Sequence, residues 1–241
     1  MIKILSTDSG LRFGVSAEKP NSPAPTLFVF AARIEDTLED GSYFNRVGRY
    51  LASYGFLSAT FDIPCHGEDA RAGEPSDVPG WRHRLEQGQR VVGDFSDKAS
   101  ALLDHLIREG YTDPKQVITV GTSRGGFLAV HWAAADPRVR AVAAIAPVTD
   151  LRGLTEFKGM ENHAGTEAIA LDHCAEKLVG RAIWVCIGNN DERVSTENCI
   201  RFTRKVVAAS VAQGKRANVE LHVTTAEGHG THLTAHDEVA M

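Results

Sequence analysis

The sequence predicts an α/β protein with an eight-stranded, mostly parallel sheet and helices on both faces, which makes three layers. Short apolar runs such as LFVFAA (27–32) and AIWVCI (182–187) alternate along the chain with amphipathic segments. Continuous apolar runs are typical of strands that are buried on both faces, as in parallel sheets. The amphipathic segments between them predict crossover helices. At 241 residues, we expect one domain over 1–241, with no large cap domain.

The strands are predicted from the apolar runs in order. The runs at 2–5 and 11–16 are separated by a few polar residues, so we expect them to pair as an antiparallel hairpin. Six further strands are each expected to run parallel to their neighbours, because helical segments separate them. These six strands are predicted at 27–32, 56–63, 117–120, 139–147, 182–187 and 219–223.

The helices are predicted from apolar residues three and four positions apart. In the clearest one, 89–109, the residues Val91, Phe95 and Leu102 share one face, and Gly110 ends the segment. The same spacing predicts four other helices, at 42–54, 124–135, 167–178 and 197–213.

Residues 64–88 are predicted to form a long loop, because the segment is polar and rich in glycine and proline. Trp81 is its main apolar residue. Long loops in compact domains are usually functional. We therefore expect this one to cover part of a binding site, with His66 and Trp81 contacting the substrate.

Composition excludes several classes of function. Hydrophobic residues make up 43% and charged residues 24%, and the net charge of −5 comes from interspersed acids and bases. Without a basic tract, nucleic acid is not expected as a partner. Without a long apolar run or a signal peptide, neither membrane insertion nor export is expected. The four cysteines form no C-x-x-C pair, which favours free thiols in the cytoplasm.

The motif Gly-Thr-Ser-Arg-Gly-Gly, residues 121–126, lies where a predicted strand meets a predicted helix. Glycines on both sides of Ser123 permit a sharp turn that exposes the hydroxyl, which is the arrangement of a nucleophile. The alternative is a glycine-rich turn without chemistry. The strand before and the helix after are the context that a nucleophile requires, so we predict that Ser123 is one.

A serine nucleophile needs a base, and the base needs a carboxylate that orients it. Asp191 and His229 each follow a predicted strand, so the carboxyl ends of parallel strands are expected to bring them to Ser123. Glu192 and Asp150 are the alternatives for the acid. His232 and His236 are the alternatives for the base.

Other residues complete the predicted site. The backbone N–H of Arg124 is expected to bind the oxyanion, together with that of Arg33 or Ala32. Cys65 is a weaker candidate nucleophile, because it has no such turn. No metal is expected, since the histidines form no H-E-x-x-H, and no phosphate loop or other cofactor motif is present.

These motifs and the chain order Ser, Asp, His resemble the α/β-hydrolase superfamily. Gly125-Gly126-Phe127, residues 146–150 (APVTD) and residues 188–194 (GNNDERV) resemble the catalytic domain of prolyl-oligopeptidase-type hydrolases and single-domain dienelactone-hydrolase-like esterases. The resemblance implies an α/β-hydrolase fold with a Ser-His-Asp triad. Dienelactone hydrolases use cysteine at the position of Ser123, which argues against a lactone substrate.

The sequence therefore predicts a cytoplasmic serine esterase that acts on small, soluble acyl esters. Arg33, Arg124 and His66 would favour an acidic group on the substrate. A small peptidase of the prolyl-oligopeptidase type is the alternative enzyme. A hydrolase-fold module that only binds is the alternative of another class. The oligomeric state stays open.

Overall fold

The structure is a computed structural model, and it describes residues 2–229. Eight strands form one sheet in the order β1-β2-β4-β3-β5-β6-β7-β8. The strands are β1 Lys3–Ser6, β2 Arg12–Val15, β3 Ala24–Phe30, β4 Leu57–Thr60, β5 Thr112–Thr122, β6 Val139–Ile145, β7 Ala182–Asn190 and β8 Val219–Glu227. Strand β2 is antiparallel to β1 and to β4, and every other neighbouring pair is parallel. The predicted mostly parallel, eight-stranded sheet is confirmed.

Seven helices and several 3₁₀ turns connect the strands within residues 2–229. The helices are α1 Ile34–Leu38, α2 Arg46–Ala52, α3 Asp77–Glu86, α4 Val91–Arg108, α5 Arg124–Ala135, α6 Ala164–Ala168 and α7 Thr196–Ala212. The predicted helix at 42–54 begins as a 3₁₀ turn, Tyr43–Asn45, and the one at 167–178 is mostly 3₁₀ helix, Leu171–Leu178. None of the described helices is long and apolar enough to cross a bilayer.

The hydrophobic core divides between the two faces of the sheet. Phe28 and Phe30 of β3 belong to a large cluster that includes residues of α3, α4, α5 and α7. Leu27 and Val29 belong to a smaller cluster with Leu38 of α1 and further residues of α2. Since side chains alternate along a strand, the two clusters lie on opposite faces. The central strands are therefore buried on both sides, as the apolar runs predict.

The prediction of one long loop over 64–88 is wrong. A 3₁₀ turn, Gly67–Asp69, and the ten-residue helix α3 occupy most of this segment. Pro79 and Gly80 lie in the first turn of α3 and make its sequence look like a loop. Proline is compatible with a first turn, because the N–H groups there have no partner within the helix.

Trp81 lies on this helix with 0% of its surface exposed. Its ring nitrogen donates to the carbonyl of Pro64 at 2.7 Å, and the ring packs against Phe127 with centroids 6.2 Å apart. A fully buried indole offers a substrate no surface to touch. The predicted substrate contact of Trp81 is therefore wrong for this conformation, and the residue anchors α3 to the core.

A buried arginine holds the segment 64–86 together. The side chain of Arg84 is only 4% exposed, and it forms ion pairs with Asp69 and, at 2.8 Å, with Glu74. Lys98 of α4 also reaches Asp69, at 2.6 Å. Burial pushes the pKa of Asp69 up, but bonds from Lys98, the N–H of Cys65 and Arg84 bring it below its usual value.

Candidate active site

The predicted site residues lie at one edge of the sheet. In the parallel register, Gly121 of β5 is opposite Phe30 of β3 and Ala144 of β6. Ser123 follows β5, Asp191 follows β7, and His229 lies two residues beyond β8. All three therefore extend from carboxyl ends of parallel strands, where functional groups gather in open α/β sheets.

Ser123 lies alone between strand and helix, in a strained backbone conformation. Its φ of 54° and ψ of −116° are rare for a residue with a side chain. The surroundings hold this conformation through three hydrogen bonds. The N–H of Ser123 donates to the carbonyl of Ile145 at 2.8 Å, and its own carbonyl accepts from Phe127 and Val148. Such strain is characteristic of a strand-to-helix turn that presents a nucleophile.

Glycines make this turn possible by close approach. A Cβ at Gly121 would overlap the carbonyl of Gly125, and a Cβ at Gly125 would overlap the carbonyl of Phe30 in β3. Helix α5 can therefore begin directly against the strands, with Ser123 in the turn between β5 and α5.

The three predicted groups form a continuous chain of contacts. Ser123 Oγ lies 3.0 Å from Nε2 of His229, and Nδ1 of His229 lies 2.8 Å from Oδ2 of Asp191. With a proton on Nδ1 donated to Asp191, Nε2 is the acceptor that faces the hydroxyl. In chemical terms, this arrangement can remove a proton from the serine.

The Asp191 carboxylate is buried and fully engaged. Its residue is 3% exposed, and Oδ1 accepts the N–H groups of Arg193 at 3.0 Å and Val194 at 3.1 Å. Burial pushes the pKa of Asp191 up, but the bonds from His229 and from these N–H groups bring it below its usual value. Asp191 is therefore held as an anion against His229.

The alternative acids are placed differently. Both oxygens of Asp150 bind the guanidinium of Arg152, at 2.7 Å in the shortest contact, so this carboxylate is engaged elsewhere. Glu192 is exposed. The alternative bases His232 and His236 lie outside the described residues.

The two predicted oxyanion donors begin helices. Arg124 is the first residue of α5, and Arg33 directly precedes α1. Within residues 2–229, neither of these backbone N–H groups donates a hydrogen bond, whereas the N–H of Ala32 donates to Thr37 Oγ1 at 3.3 Å. Of the two predicted alternatives, Arg33 is therefore the one with an available N–H. Its side chain is bound to Asp36 at 2.7 Å.

Asp77, a residue that the sequence did not indicate, lies between His66 and Arg124. Oδ1 of Asp77 is 3.2 Å from Nε of Arg124 and 3.7 Å from Nε2 of His66. The other ring nitrogen of His66 lies 2.9 Å from the carbonyl of Pro64. Burial lowers the pKa of His66, against the effect of that bond, and the charge of Arg124 lowers it further. No local pattern links Asp77 to a residue 47 positions away.

Cys65 has neither the exposure nor the acidity of a nucleophile. It is 1% exposed, and burial raises the pKa of its thiol to about 11. In the part of the chain that the structure describes, no group of three or more histidine, cysteine or acidic residues could hold a metal ion.

The sequence matches one protein family over most of its length. Residues 79–240 match the model of the prolyl oligopeptidase family. The chain belongs to the prolyl oligopeptidase family. Membership agrees with the α/β-hydrolase fold that the motifs around Ser123 predict. No curated protein sequence matches it significantly.

Solved structures share the fold at low sequence identity. Dipeptidyl peptidase 4 of Porphyromonas gingivalis is 18% identical, with a TM-score of 0.70 over 100% of this chain and 34% of that one. Acetyl xylan esterase 1 of a Thermoanaerobacterium species is 14% identical, with a TM-score of 0.64 over 99% of this chain and 86% of that one. A cold-adapted esterase from an Arctic intertidal metagenomic library is 17% identical, with a TM-score of 0.66 over 95% and 85%.

These likenesses differ in extent. The chain spans 34% of the length of the Porphyromonas gingivalis dipeptidyl peptidase 4 and 86% of the length of the acetyl xylan esterase. A dipeptidyl peptidase and two esterases thus share this fold, and the fold alone does not select a substrate.

Proposed function

We propose that this chain is a serine hydrolase that cleaves small carboxylic esters through an acyl-enzyme. The observation that carries the proposal is the contact chain from Ser123 Oγ through His229 to Asp191, with distances of 3.0 and 2.8 Å. A serine with this geometry, on a strained turn at the carboxyl edge of the sheet, has the partners that activate a hydroxyl.

Each residue has one role in the proposed reaction. Ser123 attacks the ester carbonyl while His229 takes its proton, and Asp191 stabilises the imidazolium. The backbone N–H groups of Arg124 and Arg33 bind the oxyanion of the tetrahedral intermediate. His229 then protonates the departing alcohol, and a water activated in the same way releases the acid.

The exposure of the site supports small, soluble substrates. The side chain of His229 is 21% exposed, and Ser123 is partly exposed. An ester could thus reach the hydroxyl without movement of a cover. His66 is the proposed substrate contact at this edge. The side chains of Arg33 and Arg124 already pair with Asp36 and Asp77, so an acidic group on the substrate would have to compete with these carboxylates.

Family membership favours a second candidate, a peptidase that acts on short peptides. The same three residues would serve, because His229 can protonate an amine as well as an alcohol. The extent of the structural likenesses supports the ester instead, since the two esterases correspond to this chain over most of their length. Rates on p-nitrophenyl esters and on proline-containing peptide p-nitroanilides separate the two. A higher kcat/KM on the anilides would replace the ester proposal.

The test of catalysis uses p-nitrophenyl butyrate and a fluorophosphonate probe. We expect turnover and stoichiometric labelling of the wild-type protein. Ser123→Ala should abolish labelling and lower kcat by about 10⁴-fold or more, with little change in melting temperature. Ser210→Ala, a buried serine of α7, is the control and should keep both. Folded protein without turnover and labelling would leave only the binding module.

The cysteines support a cytoplasmic location. Cys65, Cys174, Cys186 and Cys199 are all buried, and none of the four forms a disulfide. Free thiols are typical of proteins in reducing compartments. Fractionation of the native cells with an antibody to the chain tests this proposal.

A further inference from the structure

Asp62 connects three segments beside the candidate active site. It lies two residues beyond the end of β4 and is 7% exposed. Oδ1 accepts the N–H of Ile34 at 2.8 Å, and Oδ2 accepts the N–H of Glu68 at 2.9 Å. Arg12 of β2 lies 3.5 Å from Oδ2. The carboxylate thus joins β2, the start of α1 and the turn after β4, and all its contacts are N–H donors.

Asp62 and Ile63 hold the two peptide units that flank Arg33. The carbonyl of Ala32, in the unit that carries the Arg33 N–H, accepts the N–H of Ile63 at 3.3 Å. In a trans peptide the N–H points opposite to the carbonyl, so this bond directs the Arg33 N–H away from β4. The next unit is held by the bond from Ile34 to Asp62. Between the two fixed units, Arg33 has φ of −73° and ψ of 161°.

The second oxygen of Asp62 constrains the turn that follows β4. Gly67 has φ of +50°, and a Cβ there would overlap the Asp62 carboxylate. Glycine is therefore what lets the carboxylate reach the N–H of Glu68. This bond uses the other oxygen from the one that accepts the N–H of Ile34, so the carboxylate is also held from outside the segment that carries Arg33.

We infer that Asp62 is a positioning residue, which aims the backbone N–H of Arg33 at the oxyanion without touching the substrate. The inference rests on the proposed function. An oxyanion donor acts only if its direction is fixed before the negative charge forms. The Arg33 side chain cannot give that direction, since it is bound to Asp36 in a 54% exposed position.

Asp62→Asn keeps the shape of the side chain but turns one acceptor into a donor. The amide oxygen can accept from Ile34 or from Glu68, but the NH₂ group then faces the other N–H. Loss of a whole oxyanion donor lowers kcat by about 10²–10³-fold. A donor that is kept but loosened should lower kcat by about tenfold. KM should change by less than about twofold, because ground-state binding does not use this N–H.

The matched control is Asp136→Asn. Asp136 is another buried carboxylate, 4% exposed, which accepts the N–H of Arg138 at 3.0 Å and pairs with its guanidinium at 2.6 Å. It lies between α5 and β6, at the amino ends of the parallel strands, whereas Ser123 lies at their carboxyl ends. Both variants should lower the melting temperature, and only Asp62→Asn should lower kcat.

The decisive measurement is inhibition by a trifluoromethyl ketone, whose hemiketal oxygen occupies the oxyanion site. For Asp62→Asn, we expect its Ki to rise by the same factor as kcat falls, with KM for p-nitrophenyl butyrate unchanged. A purely structural role would leave the ratio of Ki to KM as in wild type. If Asp62→Asn gives no folded protein, Gly67→Ala displaces the same carboxylate, and the same pattern is expected.

The outcomes separate this inference from the proposed function. An inactive, unlabelled wild-type protein overturns both. An active wild type whose Asp62→Asn variant keeps kcat and Ki, or loses kcat no more than Asp136→Asn, overturns the role of Asp62 alone.

Discussion

Two segments at the carboxyl edge of the sheet are held in place by different physical means. At Ser123, backbone sterics decide, because Gly121 and Gly125 let α5 approach the strands closely. In the segment 64–86, charge decides, because Arg84 binds Asp69 and Glu74 in a buried network. Close approach is independent of pH and salt, whereas a charge network depends on the protonation of its acids. The stability of the turn at Ser123 and that of the segment 64–86 should therefore respond to different perturbations.

The largest expected effect concerns Asp191, the acid that holds His229 next to the turn at Ser123. In Asp191→Asn, the remaining oxygen can still accept the N–H groups of Arg193 and Val194, and the new NH₂ group faces His229 Nδ1. His229 would then carry its proton on Nε2, facing Ser123, and could not act as a base. We expect kcat on p-nitrophenyl butyrate to fall by about 10⁴-fold.

The control for this variant is Glu192→Gln, a change at the neighbouring exposed acid. It should keep the wild-type kcat. Loss of activity in Glu192→Gln but not in Asp191→Asn would show that the wrong acid is assigned.

The next effect tests the charge network. Arg84→Met leaves Asp69 and Glu74 without their buried partner, and removal of one member of a buried ion pair costs about 3–5 kcal/mol. Urea unfolding measures the loss. Arg90→Met is the control, because Arg90 is 70% exposed in its ion pairs and should contribute less than about 1 kcal/mol. Equal effects of the two variants would contradict the view that Arg84 holds this segment.

A smaller effect tests the steric half. In Gly125→Ala, the added Cβ overlaps the carbonyl of Phe30, and the backbone of α5 or β3 must move. We expect a loss of about 2–3 kcal/mol in the free energy of unfolding, with no dependence on pH between 5 and 8. Gly153→Ala is the control, because only a side-chain nitrogen of Asn198 lies within 4 Å of the added atom, at 3.8 Å. A Gly125→Ala protein as stable as this control would break the comparison.

Low pH should weaken the charge network of the segment 64–86 but not the close packing at Ser123. The pKa of Asp69 is lowered in the folded state, so its contribution to stability is present above the unfolded pKa of about 4 and is lost as pH falls below it. The unfolding free energy of Asp69→Asn, measured from pH 6 to 3, should therefore fall less steeply than that of the wild type. Asp97→Asn, at an exposed acid, should keep the wild-type slope.

The smallest effect concerns Arg33. The proposed donor is its backbone N–H, and its side chain is 54% exposed in a pair with Asp36. Arg33→Ala should change kcat and KM by less than about fivefold, since surface pairs contribute at most about 1 kcal/mol. A much larger fall in kcat would assign the role to the guanidinium instead of the backbone.

The same difference explains which features the sequence could predict. The strand, the glycines and the helix around Ser123 are neighbours in sequence, so a local pattern predicts the turn. Asp191 and His229 could be placed because strand ends meet at one edge in a parallel sheet. Helix α3 was missed because Pro79 and Gly80 in its first turn resemble a loop. What holds that segment is a set of contacts among residues up to 29 positions apart, which no local pattern shows.

Strand β8 is the outermost strand on one side of the sheet, and this has a consequence for inactivation by heat. His229 follows this strand, most of whose residues are at least partly exposed, whereas Ser123 follows the central strand β5. Edge elements with few buried contacts open at a lower cost in free energy than the core does. On heating, the contact between His229 and Ser123 should therefore be lost by fraying of β8 while the rest of the sheet is intact. Enzymatic activity would then decline before cooperative unfolding begins, and it would return on cooling without refolding of the core.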